Sequence, residues 1–180
     1  MRLSVPVDPR RDHIQGPPHA PLTLVEYGDY ECPYCAMAYP VVKAVQREMG
    51  RELRFVFRHF PLTSVHPHAQ AAAEAAEAAG AQGRFWEIHG MLYRHQDMLG
   101  SPPLLASRLD LDMARFMNEL MNRVHAARVR EDFVSGVRSG VNGTPAFFIN
   151  GIRHDGSWDV ETLVSALEGT PEVAALGRYR

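Results

Sequence analysis

The order of the predicted elements indicates an α/β protein: a four-stranded mixed sheet flanked by helices, with an inserted all-helical subdomain. A strand over Leu22 to Tyr27, a helix from Pro33 and a strand over Leu53 to Arg58 follow one another. This β-α-β order predicts a parallel, right-handed unit. Helical patterns then fill residues 63–122, and a hairpin with a last helix follows. The core is therefore expected to comprise residues 22–62 and 123–168.

Composition and charge are consistent with one globular domain. Hydrophobic residues make up 46% of the chain and charged residues 22%, and the net charge is −2. No basic patch is dense enough to suggest nucleic acid, and no apolar run approaches a transmembrane helix, so neither a nucleic-acid nor a membrane partner is expected. The N-terminus lacks the apolar core of a signal peptide, which predicts a cytoplasmic protein. A mature secreted form would have the same pattern.

The N-terminal arm and the first half of the core have clear local signals. Residues 1–21 contain five prolines and are expected to form an extended arm, with a short edge strand near His13. The apolar, β-branched run from Leu22 predicts the first core strand. The helix from Pro33 shows apolar residues at helical spacing and is expected to stop at Gly50. Aromatic and β-branched residues then favour the second strand.

The insertion and the C-terminal part are also predicted from local patterns. Expected helices cover Ala69 to Ala79, the stripe from Phe85 to Tyr93, Leu104 to Leu109, Asp112 to Met121, His125 to Ser139 and Val160 to Leu167. The dipeptide Asn150-Gly151 is a strong turn signal and predicts a hairpin of Ala146 to Ile149 with Ile152 to His154. Residues 169–180 are expected to be a loosely held tail.

The two cysteines form the motif Cys32-Pro33-Tyr34-Cys35 where the first strand passes into the helix. Proline suits the first helical position, so Cys32 lies at the helix N-terminus. Free N–H groups and the helix dipole lower the pKa of a thiol there. A reactive thiolate with a second cysteine one turn away is suited to thiol–disulfide exchange, in which Cys32 attacks and Cys35 resolves the mixed disulfide.

Two other interpretations of the cysteine pair fit the sequence less well. A structural disulfide closing so short a loop would remove little chain entropy. Structural zinc takes four ligands, and no second Cys-x-x-Cys motif exists. Histidines at positions 59, 66 and 68 could complete a set, although nothing in the sequence fixes them near the cysteines. No metal is therefore expected.

Three stretches together resemble the DsbA-like branch of the thioredoxin superfamily: EYGDYECPYC from Glu26 to Cys35, FVFRHFPL from Phe55 to Leu62 and GTPAFFING from Gly143 to Gly151. The resemblance extends in order from about Leu22 to about Leu167. It implies a thioredoxin fold, and the helical insertion at 63–122 is typical of DsbA-like proteins.

The resemblance also implies a substrate site around Pro145. It predicts a cis Thr144–Pro145 bond facing the cysteines, with the Thr144 backbone pairing with an extended substrate. Pro33 and Tyr34, between the cysteines, are expected to contact substrate as well. DsbA has histidine where this chain has Tyr34, and tyrosine supplies no cation, so a weaker oxidant is expected.

Glu26 lies among apolar residues of the first strand. Burial would raise its pKa, unless it reaches solvent at the strand end. The resemblance favours a buried acid that assists proton transfer at Cys35. DsbA-like proteins pair this acid with a lysine, and Arg54 is expected at that position, where ion pairing is plausible although arginine cannot share a proton relay.

The expected function is therefore thiol–disulfide oxidoreduction on protein or peptide thiols, with no bound cofactor. A redox partner, either a thioredoxin-type reductase or a glutathione system, is implied. Two alternatives remain open. One is a glutathione-linked oxidoreductase of glutaredoxin or glutathione-transferase type, and the other is a non-enzymatic module that binds a metal or a client peptide.

Overall fold

A five-stranded mixed sheet forms the centre of the molecule in the order β1-β3-β2-β4-β5. The structure is a computed structural model that describes residues 1–170. The strands are β1 (His13–Gln15), β2 (Leu22–Gly28), β3 (Leu53–His59), β4 (Ala146–Ile149) and β5 (Ile152–His154). Strands β2 and β3 are parallel, and the other neighbouring pairs are antiparallel.

Seven α-helices lie in the described part of the chain. They are α1 (Pro33–Met49), α2 (Ala69–Gly80), α3 (Phe85–Arg94), α4 (Pro102–Ala106), α5 (Met113–Met121), α6 (Ala126–Arg138) and α7 (Val160–Glu168). Short 3-10 turns occupy Gly50–Glu52 and Gln96–Met98. None of these helices has both the length and the apolar character needed to cross a bilayer.

The alternation of side chains along β2 and β3 divides the core into two layers. Leu24 and Phe57 belong to the larger layer, together with apolar residues of α1, α7 and the inserted helices. Val25 and Tyr27 face the opposite layer, which Phe133 of α6 and apolar residues of the N-terminal arm cover. The inserted helices therefore pack on the same side of the sheet as α1.

The predicted thioredoxin fold is confirmed, with one more strand than the four expected in the sheet. The fifth is the short edge strand expected near His13 in the arm, which spans His13–Gln15 and pairs antiparallel with β3. The hairpin is also confirmed, and Asn150 and Gly151 adopt the positive φ angles that its turn needs. Asp112 and Asp159 cap α5 and α7 as expected.

The predicted helix over Leu104 to Leu109 is wrong at both ends. Helix α4 begins at Pro102, because proline is favoured in the first turn, where no backbone N–H is needed. It ends at Ala106, after which Arg108 and Leu109 make three-residue turn bonds. Of the predicted tail, Gly169 and Thr170 follow α7, and residues 171–180 lie outside the described residues.

Candidate active site

The cysteine pair lies just after β2, at the start of α1. Strand β2 ends at Gly28, Cys32 is the N-cap residue of α1, and Pro33 is the first helical residue. Cys35 is completely buried in the first turn of α1, and Cys32 is also buried but retains 4% exposure. Both cysteines are free thiols. The local sequence thus places two identical groups in very different surroundings.

Cys32 is in an environment that favours the thiolate. A hydrogen bond from the Cys35 thiol, followed by interactions with Thr144 and with the backbone N–H groups of Cys35 and Tyr34, lowers the pKa of Cys32 to about 5. Burial opposes this shift without cancelling it. The Cys32 sulfur lies 3.4 Å from the carbonyl oxygen of Thr144. Cys32 is therefore ionised at neutral pH.

Cys35 is in an environment that favours the thiol. Burial is the main reason that its pKa lies well above the usual value, and its hydrogen bond to Cys32 and the charge of Glu26 act in the same direction. Its sulfur accepts a long hydrogen bond of 3.5 Å from the backbone N–H of Asp29. This thiol needs a base before it can react as a nucleophile.

Glu26 lies in the middle of β2 and is 2% exposed, so it does not reach solvent at the strand end. Burial, together with the negative charge of Cys32, raises its pKa to about 8. Its Oε1 atom has no hydrogen-bond partner among the described residues. A buried carboxyl group with a pKa near neutrality can accept and return a proton.

The expected pairing of Glu26 with Arg54 is wrong. The parallel register places Phe57 beside Glu26 and places Arg54 beside Thr23. Side chains alternate along β3, so Arg54 points to the opposite face of the sheet from Phe57. The guanidinium donates to the Thr23 hydroxyl at 2.7 Å and to the Pro18 carbonyl at 2.8 Å.

The Thr144–Pro145 peptide bond is cis and immediately precedes β4. Both residues are half-buried, and the Thr144 carbonyl faces Cys32. On the other side of the cysteines, Pro33 is exposed and Tyr34 is 61% exposed. All four predicted substrate-binding positions therefore lie next to Cys32, the less deeply buried of the two cysteines.

Two residues that sequence reasoning missed hold the loop before Cys32. Asp29 is buried and accepts hydrogen bonds from the backbone N–H groups of Glu31 and Leu62 and from the ring of His66. Its position after Gly28 is typical of a turn in which aspartate bonds its own backbone, so a local signal was present.

The second missed residue is Gln96, from the inserted segment. Its amide donates to the carbonyl oxygens of Tyr30 at 2.8 Å and of Cys32 at 3.0 Å. It lies 64 residues from Cys32 in sequence. No local pattern signals a contact over that separation.

The three histidines named as possible partners of the cysteines bond to other residues. His66 bonds Asp29, and the His68 backbone bonds Glu31. His59 belongs with His13 and Glu77 to the one group among residues 1–170 whose donor atoms could hold a metal ion. In that group a single oxygen of Glu77 lies 2.9 Å from His13 and 2.8 Å from His59, which are hydrogen-bond distances.

Residues 9–169 match the model of the Thioredoxin_4 family, described as thioredoxin. Among curated proteins, the chain is 54% identical over 167 residues to a protein of Salinispora arenicola named Na(+)/H(+) antiporter NhaA 1. The match covers 92% of this chain and 26% of that protein. The chain thus spans about a quarter of the length of the curated relatives it matches.

Solved structures show the same fold. Oxidised BdbD from Bacillus subtilis superimposes with a TM-score of 0.83 and 21% identity, covering 96% of this chain and 98% of BdbD. The α-DsbA1 protein of Wolbachia pipientis gives a TM-score of 0.81 and 19% identity, covering 99% and 98% of the two chains. These coverages include the helical insertion, so the architecture is DsbA-like throughout.

Proposed function

Because the chain belongs to the thioredoxin family, we propose that it is a thiol–disulfide oxidoreductase acting on protein or peptide thiols and disulfides. One observation carries the proposal. The two cysteines of Cys32-Pro33-Tyr34-Cys35 have opposite pKa shifts, which favour the thiolate at Cys32 and the thiol at the more deeply buried Cys35. That asymmetry assigns the attacking role to Cys32 and the resolving role to Cys35.

Reduction of a substrate disulfide begins at Cys32. Its thiolate attacks one substrate sulfur, the substrate S–S bond breaks, and the other substrate sulfur leaves as a thiolate that takes a proton from solvent. Cys32 and the substrate are then joined by a mixed disulfide. Beside Cys32, the backbone of Thr144 before Pro145 is placed to hold an extended substrate chain, as in strand addition. The exposed Pro33 and Tyr34 form the other side of this contact.

Cys35 resolves the mixed disulfide. Its thiol gives its proton to the Glu26 carboxylate, and the resulting thiolate attacks the sulfur of Cys32. The bond between Cys32 and substrate breaks, the second substrate sulfur leaves as a thiolate, and a Cys32–Cys35 disulfide forms. Two electrons have then passed from the protein to the substrate, and the same steps in reverse oxidise a substrate dithiol.

The cysteine pair itself carries the electrons, so the reaction needs no bound cofactor, but turnover needs a redox partner. A thioredoxin-type reductase or glutathione would regenerate the reduced pair. The sodium–proton antiport in the names of the relatives belongs to proteins of which this chain spans about a quarter, and it is not part of the proposal.

Insulin reduction with rival electron donors tests the proposal. We expect turnover with one donor system, loss of turnover in Cys32→Ser, and trapped mixed disulfides in Cys35→Ser. Activity with glutathione on small disulfides, without activity on insulin, would favour the glutaredoxin-like alternative. No turnover with either donor, together with stoichiometric capture of peptide or metal, would favour a binding module.

A further inference from the structure

Tyr93 of α3 brings a hydroxyl group from the helical insertion to the end of β2. The residue is 4% exposed. A Cβ atom built at position 28 would lie 2.7 Å from the Tyr93 Oη and 2.5 Å from the ring of Phe57. Only glycine leaves room for the phenol here. The hydroxyl therefore lies against the backbone of Gly28.

Gly28 lies near both groups of the proposed proton transfer, Glu26 and Cys35. Glu26 is two residues earlier on the same strand, so its side chain projects on the face towards which a side chain at position 28 would point. Asp29, the next residue, donates its N–H to the Cys35 sulfur. The Tyr93 hydroxyl thus lies on the Glu26 side of the sheet, at the segment that contacts Cys35.

Two buried polar atoms at this place lack partners. Neither Glu26 Oε1 nor Tyr93 Oη has a hydrogen-bond partner within residues 1–170. Buried polar groups are nearly always satisfied, and each exception calls for a reason. The two atoms are therefore not bonded to each other in this structure. A carboxylate oxygen accepts and a phenol donates, so they are chemically complementary.

The surroundings keep the phenol protonated. Burial raises the pKa of Tyr93 well above its usual value, and the charges of Cys35 and Glu26 raise it further. Cys32, Cys35 and Tyr30 also interact electrostatically with Glu26, Asp29 interacts with Tyr93, and Tyr30 is hydrogen-bonded to His89. Burial lowers the pKa of His89, so it supplies no cation. Tyr93 is therefore a neutral hydrogen-bond donor near Glu26.

We propose that Tyr93 is a positioning residue for the resolving step, donating its hydroxyl proton in a hydrogen bond to the ionised form of Glu26. The inference rests on the proposed function. Tyr93 takes the place of Arg54, for which only an ion pair with Glu26 was expected. By favouring the carboxylate, the phenol makes Glu26 available as the base that takes the Cys35 proton. The proton moves from Cys35 to Glu26, and Tyr93 keeps its own.

Reaction of the reduced protein with 5,5′-dithiobis(2-nitrobenzoate) separates the two steps. Attack by Cys32 releases the first nitrothiophenolate, and resolution by Cys35 releases the second. In Tyr93→Phe we expect the pH midpoint of the second phase to rise by about one unit, which slows it about tenfold at neutral pH, while the first phase is unchanged. In a Glu26→Gln background, Tyr93→Phe should have no further effect on the second phase.

Tyr39→Phe is the matched control. Its ring belongs to the same aromatic group, 5.6 Å from that of Tyr93, but its hydroxyl accepts from Arg94 instead. Both phases should keep the wild-type profile. Should Tyr93→Phe fail to fold, 3-fluorotyrosine at position 93 serves instead, because a stronger donor should move the midpoint the opposite way.

The possible outcomes are distinguishable. An unchanged second-phase profile in Tyr93→Phe, with a normal two-phase wild type, overturns the role of Tyr93 alone. An equal shift in Tyr39→Phe also overturns it, because a general packing effect would then be responsible. Release of only one nitrothiophenolate by the wild-type protein overturns the proposed function itself.

Discussion

Cys32 and Cys35 are chemically identical, and the fold makes them different. Cys32 caps a helix and receives hydrogen bonds, whereas Cys35 one turn later is enclosed by the core. The lowered pKa of one thiol and the raised pKa of the other have these separate causes. Helix position is local and was predictable from sequence. The depth of Cys35 depends on the helices packed over it.

The first prediction concerns the Cys32 thiolate. Its ultraviolet absorbance, followed against pH in the reduced protein, should show a midpoint near 5. Cys35→Ala should keep a low midpoint that is somewhat higher, because it removes the Cys35 thiol, the largest single stabilising contact. Cys32→Ser is the control and should show no thiolate in this range. A midpoint at or above about 8.5, the free-thiol value, would contradict the activated nucleophile.

The second prediction concerns the stability of Glu26→Gln. The folded-state pKa of Glu26 is about 8, against 4.5 for an ordinary glutamate, so the unfolded chain ionises first as pH rises. The wild-type protein therefore loses stability between these two pH values. Glutamine does not ionise, so the stability of the variant relative to wild type should increase across this window, on the order of a few kcal/mol.

Urea unfolding of the reduced proteins at a series of pH values measures this difference. Glu87→Gln is a matched control, because Glu87 lies on the surface of α3 in an exposed pair with Arg84. It should show no such trend. A difference between Glu26→Gln and wild type that stays flat from pH 4.5 to 8 would contradict burial of a titrating carboxyl group.

Among the elements, the inserted segment both covers the sheet and contacts the active-site region. Through Gln96 and Tyr93 it reaches both the loop before Cys32 and the end of β2. Gln96 begins a 3-10 turn between α3 and α4. The insertion therefore helps to hold the active-site loop. Without the insertion, Asp29 of the thioredoxin core would hold that loop alone.

The third prediction is that Gln96→Ala loosens this loop. The change removes two hydrogen bonds to backbone carbonyl groups, which are together worth about 1–3 kcal/mol. Amide hydrogen exchange at residues 30–35 should become faster. The pKa of Cys32 should rise, because the N–H groups of Tyr34 and Cys35 that stabilise the thiolate are held less firmly.

Gln82→Ala is the matched control for Gln96→Ala. Gln82 also belongs to the insertion and also makes two side-chain bonds, to the backbone of Asp112. Exchange should change only near Gln82, and the Cys32 titration should stay at its wild-type position. An unaltered Cys32 titration in Gln96→Ala would show that the loop holds its geometry without the insertion.

Elements were predictable where their signals are local. The Asn150-Gly151 turn, the aspartate caps and the proline at the start of α1 each act within a few residues, and each appears where it was expected. The Arg54 assignment failed because the register between parallel strands depends on how they pack together. Gln96 and Tyr93 were missed for the same reason, since their partners lie far away in sequence.

At the scale of the whole molecule, buried charges join the N-terminal arm to the core. Arg58 of β3 is fully buried and donates to both carboxylate oxygens of Asp12 in the arm, each at 2.9 Å. It also donates to the carbonyl oxygens of Val5 and Pro6 and to the Tyr27 hydroxyl. From α6, Asp132 accepts hydrogen bonds from Arg11 and the His59 backbone and forms an ion pair with Arg128.

This network explains why an arm rich in proline is ordered. An arm with few apolar residues has little to bury, so its attachment depends on satisfied polar groups. Sequence analysis identified Arg58 only as a strand residue. Its partner Asp12 lies 46 residues earlier, beyond any local pattern.

The fourth prediction tests this attachment with Arg58→Met, which has a similar length and no charge. The variant leaves the Asp12 carboxylate buried, with Arg11 as its remaining cation, and frees the carbonyl groups of the arm. Removing one partner of a buried pair costs about 3–5 kcal/mol, so the urea midpoint should fall sharply.

Arg10→Met removes only an exposed pair with Asp8 and should leave the midpoint nearly unchanged. The Cys32 titration of folded Arg58→Met should match wild type, because Arg58 faces the layer opposite to the cysteines. Equal midpoints for the two variants would mean that the arm contributes little to the stability of the core.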